Sequence, residues 1–560
     1  MSHPTERERA PALLWLAGVV LFAFDAWLVS SPPLDVPYLR ELYFVGVASG
    51  REALSWDFLH RPTLEHVMPL PMGLGALVVR LSGVAGAGRV LNLALLALSA
   101  YLLLRAVALI RGRTTLADAT IPLVVLGPAH VFSFVSGFNL QLVASGALFS
   151  AAIGAAAVCA TRFRRRWFWA GLAALVALPL CGVSGVLSLA FAWPAMAWVA
   201  VRNERSLGAG AALATGAALG LRYFPWSRLS ESHEHAVSPL RLSAELLPAA
   251  LGAAGSRAFP WTLLLVAALV LAALWVLAKS ERRAVFTVIA LGLTGQLVIA
   301  LAIGFGRSQY DNALTFTERY VELAVPWLLF AHLGLAAAEG AGRLVAARLS
   351  AGLALVAAVA AADNAPHAVA RVREAEAGLR AFSGDARAGL SLSALAERHG
   401  TFLYPFDRGA LLAGLSTMML EPLPPFDRSP TGGLLSLESH AGACASDLVS
   451  WAKPRAPGSP ERALDDHVPS EWQAPEGEDG VFDLALSEPR SLSIVCLLSG
   501  QKRGADSRVR VEAWASGRLV ASAPAELHDF VAVPLLAPRF DQLKVYVSPG
   551  ASLAELALAP

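Results

Sequence analysis

Two runs of side chains in this sequence have the types and spacing for chemistry at a membrane face. The first is Asp35-Val-Pro-Tyr38-Leu-Arg-Glu41, continued by Trp56-Asp-Phe-Leu-His60-Arg-Pro-Thr-Leu-Glu65-His66 and then by Arg89. A carboxylate can take a proton from an attacking hydroxyl, and a guanidinium holds a phosphate through paired N–H groups. The second run is Gly304-Phe-Gly-Arg307-Ser with Glu318-Arg319-Tyr320, where Arg307 and Arg319 offer the same anion-binding chemistry. Simpler assignments stand beside these. Asp35 also reads as the cap of a helix starting near Pro37, Glu65 can compensate a helix dipole, and interfacial arginines commonly anchor to headgroups.

The elements that must position these groups are membrane helices. Of 560 residues, 56% are hydrophobic and 16% charged, and the mean hydropathy is +0.54, a composition that needs lipid as solvent. Apolar runs long enough to span recur through the first two-thirds of the chain, roughly at 11–30, 89–110, 119–136, 140–160, 167–181, 184–201, 207–222, 259–279, 284–304, 321–340 and 345–362. The first reads as a retained span, since no small-residue cleavage site follows it. Met68 to Leu81 is apolar but short and carries Pro69 and Pro71, so it reads as an interfacial helix.

Charge is informative by position only. Arg111/Arg113, Arg162 to Arg166, Arg202/Arg205, Lys279/Arg282/Arg283 and Arg343/Arg348 fall in alternate loops, which places those loops and the N-terminus in the cytoplasm. About eleven spans then carry the chain across a bacterial inner membrane, with outer loops at 31–88, 223–258 and 305–320. Residues 363–433 read as a helical connector and 434–560 as a periplasmic, mostly-β, sandwich-like domain, from alternating runs such as Arg508-Val-Arg-Val-Glu-Ala-Trp514. Cys444 and Cys496 share that domain, where a disulfide is permitted. Trp451, Trp472 and Trp514 are its candidates for stacking on sugar, with Trp514 expected in the core. His233-Glu-His235 reads as a solvated loop.

The order of residues in the first loop resembles the GT-C class of polyprenyl-phosphate-sugar glycosyltransferases, such as the lipid A aminoarabinose transferase and the protein O-mannosyltransferases. Asp35 with Tyr38 matches the opening of that class's first periplasmic loop, Glu65-His66-Val-Met-Pro69-Leu70 approximates its second element, and Arg89 through Arg113 follows the third. The resemblance covers about residues 11–115 and extends loosely to 362 through the span count. It implies an inverting transferase in which Asp35 is the general base. Tyr38, Glu65, His66, Arg89, Arg307, Arg319 and Tyr320 would then bind a lipid-linked sugar donor, and the acceptor would be a glycolipid, polysaccharide or protein. The sequence departs from the class at Val36, where a second acid is common, and between the third and fourth spans, where Ser136 to Gln141 offers no acid. Asp35, Glu65, His60 and His66 could bind a divalent ion, although the two histidines lack a fixed helical spacing, and no other cofactor is indicated.

A net charge of +2 with no basic tract interleaved with aromatics argues against nucleic acid as a partner. Within the spans the sequence shows almost no ionisable chemistry and no mid-membrane chain of Asp, Glu or His, which argues against an ion-coupled transporter. The alternative from a different class is a non-catalytic export or assembly factor for surface polysaccharide, with the β-domain as its docking module.

Overall fold

A computed structural model describes residues 12–50, 52–61, 67–203, 206–224, 237–309, 319–340, 342–387, 392–404, 411, 414–415, 418, 452–455, 472–475, 479–499, 508–526 and 530–559. The chain divides into two compact units, one of residues 1–34 and 52–377 and one of 35–51 and 378–560.

The first unit is helical: α1 (Ala12–Ser30), α3 (Trp56–His60), α4 (Pro69–Ser82), α5 (Ala87–Arg111), α6 (Thr120–Val125), α7 (Val131–Val135), α8 (Leu140–Thr161), α9 (Arg165–Ala177), α10 (Val183–Asn203), α11 (Leu207–Tyr223), α12 (Pro239–Leu246), α13 (Ala253–Arg257), α14 (Trp261–Ala278), α15 (Arg283–Arg307), α16 (Val321–Ala336) and most of α17 (Gly342–Arg387), with α2 (Val45–Ser49) belonging to the second unit. Among the described residues eight segments are long and apolar enough to cross a membrane. The remaining expected spans are the shorter helices α9, α11 and α16. The protein is a polytopic α-helical membrane protein.

Burial separates lipid-facing helices from central ones. On α1 the side chains of Leu13, Trp15, Leu16, Val19 and Val20 are exposed, as are Leu264, Leu271 and Trp275 on α14, the pattern of helices solvated by lipid. Every residue of α16 is buried, so its 16 residues form the middle of the bundle. It packs closely on α8, where a Cβ on Gly146 would strike the Glu322 carbonyl. α4 forms where the sequence indicates an interfacial helix, with Pro69 at its first position and Gly83 closing it at φ +67°. α17 has 46 residues, about 69 Å at 1.5 Å per residue, so it runs well past a membrane's thickness. Its Asn364 clamps the turn before α13, donating to the Leu251 carbonyl (2.7 Å) and accepting from the Ala254 N–H (2.9 Å).

The second unit holds two cores. In one, Val36, Leu42 and Val45 from the first loop pack with Leu379, Phe382 and Ala386 of α17 and with Leu395, Ala396 and Leu403 of α18 (Leu392–Leu403). The other lies in an all-antiparallel sheet of β1 (Ala452–Arg455), β2 (Trp472–Gln473), β3 (Gly480–Ser499), β4 (Arg508–Ala515), β5 (Arg518–Glu526), β6 (Phe530–Val547) and β7 (Ser552–Ala559). Its order is β2-β7-β3-β6-β4-β5, with β1 also on β3. Register shifts between Ala485 and Ile494 bend the long β3–β6 pair, and residues from β2, β3, β4, β6 and β7 meet in one core, giving the sandwich-like domain. Trp472 is in that core, edge-on to Phe482 at 5.4 Å. Trp514, expected in the core, is half-buried on the opposite face, its Nε1–H donating to Glu512 (3.2 Å) and Lys544 lying 4.9 Å over its ring. Trp451, Cys444 and the His233–His235 stretch lie outside the described residues, as does the Cys496 side chain.

Candidate functional site

The arginine pair of the third outer loop sits where two helices of the first unit end and begin. Arg307 is the last residue of α15, where the helix dipole favours a cation. Ser308 fixes the exit: its hydroxyl donates to the Phe305 carbonyl (3.0 Å), and its own carbonyl accepts from the Val237 N–H (3.0 Å). Arg319 and Tyr320 form the turn that leads into α16. Although Arg319 as a whole is half-buried, its Nε is fully buried and has no hydrogen-bond partner among the described residues. Burial pulls this guanidinium below the ordinary arginine range and the nearby Arg307 charge acts in the same direction, while Tyr320 and Glu322 oppose them. The two like charges are within electrostatic reach of each other, and one of them carries a desolvated donor.

Beneath this turn lies a buried polar network that joins segments far apart in sequence. Glu322, in the first turn of α16, accepts at Oε1 from the Ser133 hydroxyl and faces His130 Nδ1 at 3.4 Å, while its Oε2 has no partner among the described residues. The other nitrogen of His130 donates to the Val124 carbonyl (2.8 Å). Asn139 Nδ2 donates to Ser133 Oγ (3.1 Å), and Asn92 Nδ2 donates to the carbonyls of Ser133 (2.9 Å) and Ser136 (3.2 Å). At the other end of the bundle Asp118 accepts from Arg111 (3.0 Å), His332 (2.9 Å) and the Thr115 N–H (2.6 Å). Asp25 on α1 is fully buried with neither carboxyl oxygen partnered among the described residues. The expectation that the spans hold almost no ionisable chemistry is thus corrected: the acids and histidines are few, but α16 and the broken helix α6–α7 bring them together.

Arg89 is also wholly buried. Its Nη1 donates to the Pro33 carbonyl (3.1 Å), and the Gly86 N–H donates to the Leu34 carbonyl (2.6 Å), so the start of α5 holds the backbone immediately ahead of Asp35. A Cβ on Gly86 would collide with Leu34, and one on Gly137 with Gly88, so these glycines permit the close approach. The geometry gives Arg89 a positioning role.

Asp35 and Tyr38 belong to the second unit. Asp35 is half-buried and makes no hydrogen bond or ion pair within the described residues. It does not cap the following helical turn at Leu39–Phe44: Glu41 does, accepting from the Tyr38 N–H at 2.8 Å. The turn opens on Leu39 at φ +54°, a left-handed conformation that a leucine adopts only under constraint. That constraint is the packing of this segment on α17 and α18, with the Tyr38 ring 5.0 Å from Phe402 and the Tyr43 hydroxyl 2.8 Å from that of Tyr404.

Of the residues singled out from sequence, the structure groups Arg307, Arg319 and Tyr320 together, gives Arg89 to the backbone before Asp35, and places Asp35 with Tyr38 on the α17–α18 core. Glu65 and His66 lie outside the described residues. His60 stacks on Trp56 at 3.8 Å and bonds the Tyr223 hydroxyl (2.7 Å). Among the described residues no three acidic, histidine or cysteine side chains converge as a metal site would require.

No family model and no curated protein matches this chain. Solved structures do. ArnT from Cupriavidus metallidurans in the apo state is similar over 77% of this chain and 77% of that one, at 16% identity and a TM-score of 0.38. The family 32 CBM from C. perfringens NanJ, solved with galactose, is similar over 20% of this chain and 96% of its own, at 17% identity and a TM-score of 0.18. A GH29 fucosidase from Ruminococcus gnavus, solved with fucose, matches 24% of this chain and 31% of its own, at 13% identity and a TM-score of 0.18.

Proposed function

We propose that this chain is an integral membrane glycosyltransferase of the GT-C type, moving a sugar from a polyprenyl-phosphate donor to a cell-envelope acceptor on the outer, periplasmic face of the inner membrane. Asp35 takes the proton of an acceptor hydroxyl as that oxygen attacks the anomeric carbon. The bond from that carbon to the phosphate oxygen breaks, and the lipid phosphate leaves with the electron pair and its charge neutralised by Arg307 and Arg319. One displacement inverts the anomeric carbon. Tyr38, Glu65, His66 and Tyr320 contact donor or acceptor, and Arg89 holds the chain that carries Asp35.

The observation that carries this reading is the Arg307–Arg319 pair, with the Nε of Arg319 buried and without a hydrogen-bond partner among the described residues. A phosphate monoester accepts from that donor and lessens the repulsion between the two guanidinium groups. The resemblance of the first loop to the GT-C class supports Asp35 as the base, and its lack of an ion pair within the described residues leaves the carboxylate available for a proton.

The test is transfer of labelled sugar from membrane polyprenyl-phosphate donors by the purified protein and by Arg319→Gln. Loss of one charge-assisted contact to phosphate is expected to raise half-saturation for the donor at least ten-fold. Absence of transfer with every donor would move the function to the non-catalytic assembly factor.

A further inference from the structure

The outer face of the β4–β6 pair in the β-domain carries a groove and two aromatic rings that the proposed reaction does not use. The groove, about 500 Å³, lies where β4 begins and β5 and β6 end, and its lining includes Asp479, Arg508, Arg510, Glu526, Tyr546 and Ser548. Strand register brings these groups together. Arg508 stands opposite Glu526, and Arg510 stands between Tyr546 on β6 and Pro524 on β5. Val509 and Val511 alternate with them into the domain core, so the charged side chains of β4 share the outer face.

The side chains on this face are already held in place, as a binding platform requires. Glu512 is 8% exposed and accepts from Arg510 Nε (3.0 Å) and Trp514 Nε1 (3.2 Å). The Arg510 guanidinium lies 4.3 Å over the Tyr546 ring, and the Lys544 ammonium lies 4.9 Å over Trp514. Cross-strand ionic and cation–aromatic pairs of this kind fix the side chains that form them. Burial and the Glu512 carboxylate push the Tyr546 hydroxyl above the ordinary tyrosine range, against the opposing effect of Arg510, so it stays a donor.

Charge and shape select the ligand. Two cations and two carboxylates line the groove, so it offers no net attraction to a polyanion or a polycation. A sugar hydroxyl both donates and accepts, and can use either kind of group while the ion pairs stay formed. The apolar C–H face of a pyranose suits a half-buried indole such as Trp514. The cores of protein–protein interfaces are depleted in charged residues, whereas β4 carries one at each of Arg508, Arg510 and Glu512, which favours a hydroxylated ligand over a protein. Arg508 and Trp514 are separated by about 20 Å of strand, the length of several sugar units.

We propose that this face binds a neutral polysaccharide chain, with sugar hydroxyls on Arg508, Arg510 and the Tyr546 hydroxyl in the groove and a sugar ring against Trp514. The volume is that of a ligand pocket, about 300–1,000 Å³. Binding here does not depend on whether the protein transfers sugar.

Biolayer interferometry of the full-length protein in detergent, against immobilised mannan, galactan, β-glucan and anionic polygalacturonate, reads the site directly. The wild type is expected to bind at least one of the three neutral polymers saturably and to bind polygalacturonate more weakly. Trp514→Ala removes the stacking ring and should weaken that binding about ten-fold, while Trp514→Phe keeps a ring and should retain most of it, which separates lost stacking from misfolding. Arg508→Ala, an exposed groove residue, should also weaken it, and Arg518→Gln, exposed on β5 outside the groove, should not. Binding to none of the neutral polymers, tighter binding of polygalacturonate, or neutral binding that survives both Trp514→Ala and Arg508→Ala overturns the proposal.

Discussion

Glu322 carries the sharpest consequence at the scale of a single residue. It is 4% exposed, its Oε1 takes the Ser133 hydroxyl and faces His130, and it stands one turn from Arg319. Removing one member of a buried hydrogen-bonded pair strands the other in a low dielectric. Glu322→Ala is therefore expected to cost on the order of 3 kcal/mol, whereas Glu322→Gln, which can still accept from Ser133, should cost less. Detergent-solubilised thermal unfolding of the two variants distinguishes them; equal losses would mean that Oε1 accepts nothing. None of this was legible in the sequence. Glu322 and His332 stand alone in an apolar run, and their partners His130 and Asp118 are 192 and 214 positions away. Arg307, Arg319 and Tyr320 were legible, since a loop between two apolar runs has to bring its own ends near each other.

Among elements, the pairing of α17 with α18 was hidden for a related reason. Asp35, His60, Glu65 and Arg89 share one stretch of sequence and were read as one loop, yet residues 35–51 group with 378–560 through the apolar contacts of Val36, Leu42 and Val45. Alternation of Leu and Ala on α17 and α18 gives a buried face but does not name what covers it. Asp385 on α17 accepts from His399 (2.8 Å) and Arg398 (2.9 Å) of α18, and these two hold its carboxyl below the usual aspartate range. A depressed native pKa means that the unfolded state binds protons first on acidification. The contribution is full above the ordinary aspartate pKa of about 3.9 and is lost as pH falls through the lower native value. Amide exchange in α18 should accordingly speed up as pH drops below about 4 beyond its intrinsic trend, and Asp385→Asn should remove that pH dependence. Unchanged protection of α18 across this range would show that the pair does not secure the helix.

For the whole molecule, the helix inventory was the most legible feature, because about twenty apolar residues leave lipid as the only solvent. Each of the eleven expected spans contains helix, and the departure is in kind: α16 is wholly interior and the third span is broken into α6 and α7. The break exposes backbone and side-chain polar groups that the buried network then satisfies. The β-domain was legible from alternation, although the half-buried Trp514 was not, since a tryptophan between two alanine strand neighbours looks the same on either face. The arginine-rich loops predict the sidedness. In intact cells Arg343→Cys should resist a membrane-impermeant maleimide and Ser522→Cys, exposed on β5, should react; the reverse pattern would invert the topology and remove Asp35 from the outer face.

The central claim is that Asp35 does acid–base chemistry in a sugar transfer. Its most direct test is labelled-sugar transfer from polyprenyl-phosphate donors by purified wild-type protein and by Asp35→Asn, with folding matched by thermal unfolding and each run with and without a chelator. Asparagine keeps the shape of the side chain and cannot take the proton, so the account predicts transfer by the wild type and a loss of about 10²- to 10⁴-fold in the variant; the chelator arm reads metal dependence separately. Transfer by Asp35→Asn at the wild-type rate would contradict the account.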